Sequence, residues 1–159
     1  FKGEMLMSDQ FKDIEPMVYK SKISVPYHWW AGDTASKFLI SLRDNEKLIA
    51  TCCKQCDKVF LPPRKVCPIC FNEKIEWVDV SDEGVVESFT IVRRQQASLE
   101  KKVPVIFALV KIDGSDTSLL HFLDEVKPED VKIGMKVKAI FSKEKIGSIK
   151  DIAYFKPNE

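Results

Sequence analysis

The feature that most constrains this chain is the grouping of all five cysteines between positions 52 and 70. Cys53 and Cys56 form one C-x2-C pair, Cys67 and Cys70 form a second, and ten residues separate the two pairs. Two short turns that each present two thiolates can converge on one ion with tetrahedral geometry, as they do in four-thiolate zinc ribbons. The spacing therefore predicts a ribbon stabilised by a metal that these four cysteines ligate.

Other uses of the cysteines fit the sequence less well. Disulfides need an oxidising compartment, and because no secretory signal is visible in the sequence we expect a cytoplasmic protein with reduced thiols. Rubredoxin-type iron knuckles generally carry glycine after the second cysteine of each pair, whereas this chain has Asp57 and Phe71 there. That departure favours structural zinc over iron. Cys52 could replace Cys53 as a ligand, but its spacing fits less well, and we expect a small buried side chain instead.

Composition bounds the classes of function. The chain has 159 residues, of which 45% are hydrophobic and 31% are charged, as expected of a globular protein. Its 25 basic and 24 acidic residues leave a formal net charge of +1. The chain therefore lacks the excess of basic residues that is typical of proteins that bind nucleic acid or an anionic membrane. The longest apolar runs are too short to span a bilayer.

The segment before the cysteines predicts one amphipathic helix. Apolar residues recur at i, i+3, i+4 and i+7 and form a single stripe, Ala35, Phe38, Leu39 and Leu42. Asp33 is placed to cap the start of this helix, and Asn45 is placed at its end. We expect residues 1–22 to form an arm with little structure of its own.

Two adjacent tryptophans, Trp29 and Trp30, lie between the arm and the helix. Neighbouring side chains point in different directions, so the two indoles cannot easily share one burial site. Either one of them fills the protein's own core while the other reaches a second surface, or the N-terminal residues cover both. We take Trp29, Trp30 and Phe38 as candidate residues of a partner interface.

After the cysteines the pattern changes to strands. Five segments are rich in β-branched and aromatic residues: 83–94, 103–113, 117–126, 135–141 and 149–155. Residues 113–116 predict a hairpin turn, and Pro128 and Gly134 are placed to open and close one helical turn between the third and fourth strands. Five strands with a short helix at that point are the order of an OB-fold barrel.

The predicted fold is therefore mainly β. An N-terminal arm and helices occupy residues 1–46, a rubredoxin-like zinc ribbon residues 47–80, and a five-stranded OB-fold barrel residues 81–159. Residues 105–110 and 119–123 are apolar on both alternating faces, although a barrel needs only its inward face apolar. Either the ribbon and helix cover the outer face of these strands, or another protein does.

Catalytic motifs are missing from the sequence. It has two histidines and six scattered glycines, and neither a phosphate-binding loop nor a G-x-S-x-G or H-E-x-x-H motif occurs. We therefore do not expect an enzyme. A single-stranded nucleic-acid-binding module is the alternative, because ribbons and OB-folds both serve that purpose, with Phe89, Phe107, Phe122 and Tyr154 as candidate stacking residues.

The order of these features resembles the zinc-ribbon/OB-fold companions of thiolase-superfamily enzymes, the acyl-CoA-associated OB-fold proteins. The resemblance rests on Phe38-Leu39 in the helix, the four cysteines, Cys67-Pro-x-Cys70 among them, and residues 59–65, 77–84, 103–113 and 128–137. It covers roughly residues 35–156 and is similar to the archaeal type.

The resemblance implies a non-catalytic scaffold with a structural zinc. Such a scaffold would hold acetoacetyl-CoA thiolase and hydroxymethylglutaryl-CoA synthase together, so that acetoacetyl-CoA passes between them in the mevalonate pathway. Coenzyme A carries phosphate groups that need basic partners. Arg64, Arg93 and Arg94 are the candidate CoA-binding residues, and ordinary solvated surface charge is the alternative interpretation of all three.

Overall fold

A computed structural model describes residues 13–158, except 16, 98 and 100. The described residues form one α-helix and eight strands: α1 (Asp33–Asn45), β1 (Ile49–Cys53), β2 (Lys58–Phe60), β3 (Glu76–Asp79), β4 (Glu83–Val92), β5 (Val105–Ile112), β6 (Ser118–Leu123), β7 (Lys136–Phe141) and β8 (Ile152–Pro157). No helix within these described residues is long and apolar enough to cross a membrane. The chain divides into two units, residues 1–30 and residues 31–159.

In the first unit, described residues 17–30 have neither helix nor strand structure, and their side chains are exposed. Residues 1–12 and residue 16 of the predicted arm lie outside the described residues. Trp29 and Trp30 are both about three-quarters exposed, at 74% and 76%.

The second unit begins with α1, whose buried face carries Phe38, Ser41 and Leu42. Asp33 is the first helical residue rather than its cap, since Gly32 precedes the helix and no side chain caps it. A carboxylate in the first turn still stabilises the helix through its dipole. Glu46, in the left-handed conformation, ends the helix directly after Asn45.

The cysteine region forms a three-stranded antiparallel sheet in the order β2-β1-β3. Its central strand, β1, pairs Thr51 with Phe60 of β2 on one side and with Trp77 of β3 on the other. Thr51 is 2% exposed, and its Oγ1 accepts a hydrogen bond from the Arg64 amide at 2.8 Å. This small sheet positions both cysteine pairs.

The remaining five strands close into a barrel in the order β4-β5-β6-β8-β7, which confirms the predicted OB-fold architecture. Neighbouring strands are antiparallel except β6 and β8, which are parallel and pair only at Leu123 and Phe155. The short helix predicted after Pro128 is replaced by turns. Within this connection the Asp130 amide donates to the Lys127 carbonyl at 3.0 Å, while the Gly134 amide donates to the Val86 carbonyl of β4 at 2.8 Å.

The helix, ribbon sheet and barrel share one hydrophobic core. Phe38 and Leu42 of α1 and Ala50 of β1 belong to the same buried cluster as Ile152 and Phe155 of β8. Phe38 is only 4% exposed. It belongs to the core and is not available for a partner interface, because the apolar stripe of α1 packs within this unit.

The turn between β5 and β6 joins the barrel to the ribbon. The amide of Asp116 donates to the Val59 carbonyl at 2.8 Å, and the Val59 amide donates to Asp116 Oδ2 at 2.9 Å. Thr117 Oγ1 accepts from the Leu61 amide at 2.7 Å and donates to the Leu61 carbonyl at 2.8 Å. We call residues 116–117 the ribbon clamp.

The substitution Thr117→Val tests the ribbon clamp. Valine keeps the shape of threonine but leaves the amide and carbonyl of Leu61, which is fully buried, without their partner. We expect a loss of about 1–3 kcal/mol in the free energy of unfolding, the cost of unsatisfied buried groups. Urea denaturation measures it, and Thr117→Ser, which keeps the hydroxyl, should lose clearly less; equal losses would contradict this account.

Candidate metal centre and apolar barrel cleft

The ribbon sheet brings the two cysteine pairs together. Cys53 ends β1 and Cys56 lies in the turn before β2, whereas Cys67 and Cys70 lie in the connection between β2 and β3. In the first turn the Cys56 amide donates to the Cys53 carbonyl at 3.2 Å, and in the second the Phe71 amide donates to the Cys67 carbonyl at 3.0 Å. Each pair therefore lies on a tight turn, as its spacing predicts.

The four sulfur atoms all lie within 4.8 Å of one another. Sγ of Cys53 is 3.6 Å from Sγ of Cys70, and Sγ of Cys67 is 3.9 Å from Sγ of Cys56. A tetrahedral zinc with Zn–S bonds of about 2.3 Å would place its sulfur ligands about 3.8 Å apart. None of the five cysteines forms a disulfide. The donor set and its spacing fit a four-thiolate metal site.

Two residues in these turns adopt left-handed backbone conformations. Asp57, with φ of 49°, and Phe71, with φ of 57°, each follow the second cysteine of a pair. These are the positions where glycine would be free of the steric penalty that other residues incur there. The turns therefore keep the backbone shape that glycine favours, although the sequence lacks it.

Backbone amides favour the thiolate form of Cys67, the first cysteine of the second pair. Burial raises the pKa of the Cys67 thiol, but hydrogen bonds from the Cys70 and Ile69 amides and from the Cys53 and Cys70 side chains together lower this pKa to about 7. In contrast, the side chain of Cys70, burial and the Cys67 side chain together raise the pKa of Cys56 to about 12. The metal-free cluster thus resists ionisation of all its thiols at once, and a bound divalent cation would remove that obstacle.

Cys52 is not part of this cluster. It lies on β1 beside Cys53 but is half-buried and outside the group of four sulfurs. Adjacent strand residues point to opposite faces of a sheet, so only one of the two can reach the site. Cys53 is fully buried and packs with Cys67 and Phe60 in a small apolar cluster around the site.

A second feature is an open cleft of about 540 Å³ beside the loosely paired strands β6 and β8. Apolar side chains dominate its lining, which includes Phe107, Leu120, Phe122, Ile149, Ile152 and Ala153. His121 also lines the cleft, and its Nε2 lies 3.2 Å from the carbonyl of Ile149. A carbonyl only accepts, so Nε2 carries the proton in this contact. Burial lowers the pKa of His121, which favours the neutral ring.

The outer face of β5 and β6 is apolar and incompletely covered. Phe107 pairs with Phe122, and Leu109 pairs with Leu120, across the two strands. The two phenylalanine ring centroids are 4.7 Å apart, and Leu120 is 58% exposed. We call these four residues the barrel patch. Neither the ribbon nor α1 buries this patch. The expectation that the ribbon and helix cover the outer face of these strands is therefore only partly met.

One basic side chain borders the barrel patch. Lys101 Nζ lies 4.7 Å from the ring centroid of Phe122 and 5.3 Å from that of Tyr154. It also forms an ion pair of 3.0 Å with Asp124. The sequence does not predict these contacts of Lys101, because the residues that form them lie in or beside β6 and β8, far along the chain.

The three candidate arginines are exposed and occupy different parts of the fold. Arg64 lines a small pocket of the ribbon with Thr51 and Trp77. Arg93 and Arg94 directly follow β4. The lining of the barrel cleft includes Lys101 and Lys150 as its basic residues.

Comparison with known proteins agrees with this geometry. Residues 41–76 match the model of the ChsH2 rubredoxin-like zinc ribbon domain, and residues 77–142 match the ChsH2 C-terminal OB-fold domain. A DUF35 domain-containing scaffold protein of Methanocaldococcus jannaschii is 32% identical over 101 residues, covering 63% of this chain and 71% of the relative. One of Pyrococcus furiosus is 33% identical over 108 residues, covering 68% and 78%.

Two solved structures share the fold. A DUF35-family protein of unknown function from Sulfolobus solfataricus has a TM-score of 0.61 and 28% identity, covering 80% of this chain and 87% of its own. The Ltp2-ChsH2(DUF35) aldolase has a TM-score of 0.62 and 22% identity, covering 81% and 98%.

Fold and cysteine geometry together define a zinc-ribbon protein with an OB-fold barrel. Within that class, the chain belongs to the DUF35 family, whose curated relatives are called scaffold proteins.

Proposed function

We propose that this protein is a non-catalytic scaffold that holds two enzymes of acyl-CoA metabolism together. The observation that carries the proposal is the barrel patch, an apolar surface on β5 and β6 that the chain's own helix and ribbon leave open. Apolar surface of this kind marks protein interfaces. The curated relatives are named scaffold proteins, which supports the same role.

The metal centre serves this role as a structural element. A closed site of four thiolates leaves no open position for substrate or water, so zinc held by Cys53, Cys56, Cys67 and Cys70 would stabilise the ribbon and activate no reactant. Both cysteine turns lie on the sheet that shares the core of the barrel. Zinc would therefore maintain the shape of the surface offered to partners.

The enzymes proposed as partners are acetoacetyl-CoA thiolase and hydroxymethylglutaryl-CoA synthase, as the family resemblance implies. Condensation of two acetyl-CoA molecules is unfavourable. Direct transfer of acetoacetyl-CoA to the synthase removes the product and so shifts the condensation equilibrium towards it. Trp29 and Trp30, which are exposed, are proposed as a further contact with a partner. Arg64, Arg93 and Arg94 remain proposed contacts for the phosphates of CoA, and the apolar barrel cleft is large enough to receive a non-polar portion of a ligand.

A mild affinity purification from the native cytosol, followed by mass spectrometry, tests the partnership. We expect both enzymes in a fixed ratio to the bait. The second candidate function is binding of single-stranded nucleic acid. It is favoured by three aromatic rings near Lys101 on which bases could stack, those of Phe107, Phe122 and Tyr154. Recovery of nucleic acid that is lost as salt rises would favour it, because phosphate contacts dominate such binding.

The substitution Leu120→Asp tests the barrel patch itself. A buried charge at an apolar interface is costly, so we expect the affinity for the enzyme partners to fall by about tenfold or more. Ile133→Asp is the matched control, since Ile133 is 71% exposed but lies in the connection between β6 and β7. Titration calorimetry with the purified enzymes measures the two effects; equal affinities for both variants would rule out the barrel patch as the docking surface.

A further inference from the structure

The segment from residue 17 to residue 29 carries an unusual amount of exposed apolar surface. Seven large apolar side chains in it are between 66% and 86% exposed: Met17, Val18, Tyr19, Ile23, Val25, Tyr27 and Trp29. Singly exposed apolar residues are common on protein surfaces, but a contiguous series of this size marks a binding segment. We call residues 17–29 the docking segment.

These apolar residues follow a period of two. Six of the seven have odd numbers, and Ser21 is the single odd-numbered position without an apolar side chain. The even positions hold mainly polar residues or proline: Lys20, Lys22, Ser24, Pro26 and His28, with Val18 as the exception. Successive side chains of an extended strand point to opposite faces. As a strand, the docking segment would therefore have one apolar and one mainly polar face.

The backbone of the docking segment also lacks hydrogen-bond partners among the described residues. Its residues have neither helix nor strand structure, and no hydrogen bond joins their amides to another described residue. In a strand, the amide and carbonyl of one residue point to the same edge, and those of the next residue point to the other edge. Pro26, at an even position, removes a donor from the even edge only. The odd edge keeps all its donors.

We propose that the docking segment adds as an outer strand to an exposed β-sheet edge of the enzyme partner. Odd-numbered residues would pair with the partner through their backbones and place their apolar side chains on its surface, while the edge that contains Pro26 faces solvent. Such strand addition combines main-chain hydrogen bonds with pockets for alternate side chains. This inference rests on the proposed scaffold function and specifies how one of its contacts forms.

The described part of this chain argues against a second copy as the occupant. In its closed barrel, β6 at the loosely paired seam spans only six residues, and the outer strands of the ribbon sheet, β2 and β3, span only three and four. The ribbon clamp already bonds to β2. A docking segment about 40 Å long when extended needs a longer edge. A membrane is equally unsuitable, because an extended backbone leaves its polar groups unpaired in lipid.

The strand geometry separates the two tryptophans. Trp29 lies on the apolar, odd face, whereas Trp30 would point to the opposite side. Trp29→Ala is therefore expected to weaken enzyme binding several-fold more than Trp30→Ala. Equal effects would contradict a strand and favour a single shared pocket for both indoles.

Two serines provide a matched test of the backbone pairing. Ser21 is at an odd position and Ser24 at an even one, and both side chains are small and polar. In Ser21→Pro the ring replaces an amide on the pairing edge, so we expect affinity to fall by about tenfold or more. In Ser24→Pro the lost amide faces solvent, so affinity should stay within about twofold of the wild type. The probes are the purified thiolase and synthase, titrated separately against the full chain.

The outcomes separate this inference from the proposed function. If the wild-type chain binds either enzyme and the two proline variants bind equally well, strand addition is wrong and the scaffold function stands. If the wild-type chain binds neither enzyme, the scaffold function fails, and the partner assigned here fails with it. If the segment instead drives self-association, seen as a larger species in light scattering that Ser21→Pro abolishes, a second copy is the occupant and the assignment to an enzyme is overturned.

Discussion

Cys67→Ser is expected to remove the bound zinc and to unfold the ribbon sheet. Cys67 is fully buried and belongs to the cluster of four sulfur atoms, and its thiol has a lowered pKa. Zinc binding contributes about 10–16 kcal/mol to the folding of small zinc peptides. This exceeds the entire stability of most small domains, so the ribbon is not expected to persist without the metal.

Cys52→Ser provides the control for that experiment. The two substitutions are chemically identical, but Cys52 lies outside the sulfur cluster. Elemental analysis should give about one zinc per chain for the wild type and for Cys52→Ser, and nearly none for Cys67→Ser. Thermal unfolding followed by circular dichroism should show a large destabilisation of the Cys67 variant alone. A Cys67 variant that retained one zinc and the wild-type unfolding temperature would exclude this residue as a ligand.

Gly84→Ala is expected to produce the largest destabilisation of any single methyl addition considered in the barrel. A Cβ atom at this position would lie 2.3 Å from the Lys111 carbonyl oxygen and 2.9 Å from the Ile112 Cα. Both atoms belong to the backbone of β5, which pairs with β4 at this point, so neither can move without disturbing the sheet. We expect a loss of about 3 kcal/mol, the upper part of the range for overpacked sites.

Gly134→Ala distinguishes this steric clash from the ordinary cost of replacing glycine. Gly134 has a positive φ of 85°, but no atom lies within 4 Å of a Cβ built there. Its substitution should therefore cost only the backbone penalty of about 1–2 kcal/mol. Chemical denaturation gives both values, and a Gly84 variant no less stable than the Gly134 variant would contradict the close approach of β4 and β5.

Local patterns were enough to predict that two cysteine pairs converge and to predict the order of the barrel strands. Cys53, Cys56, Cys67 and Cys70 lie in two short turns, and the strands have the period and composition of their class. The predicted helix also formed, over residues 33–45. Its capping by Asp33 was wrong, because the chain enters this helix through Gly32.

Long-range contacts could not be predicted in the same way. The ribbon clamp joins Thr117 to Leu61, which lies 56 positions earlier, and nothing in either local sequence identifies its partner. Phe38 was predicted at a partner interface, since an apolar stripe alone does not show whether its own chain or another covers it. The connection after Pro128 forms single turns instead of the predicted helix, and its Gly134 amide bonds to β4, again a distant element.

The ribbon clamp has a consequence for how a scaffold of this kind can work. Because its hydrogen bonds and the shared core hold ribbon and barrel in one compact unit, residues 31–159, partners bound to different faces of that unit keep a fixed separation. The effective concentration of one partner near the other is then set by the geometry of the fold rather than by the length of a flexible tether. Loosening the clamp would lower that effective concentration even if each partner still bound with full affinity.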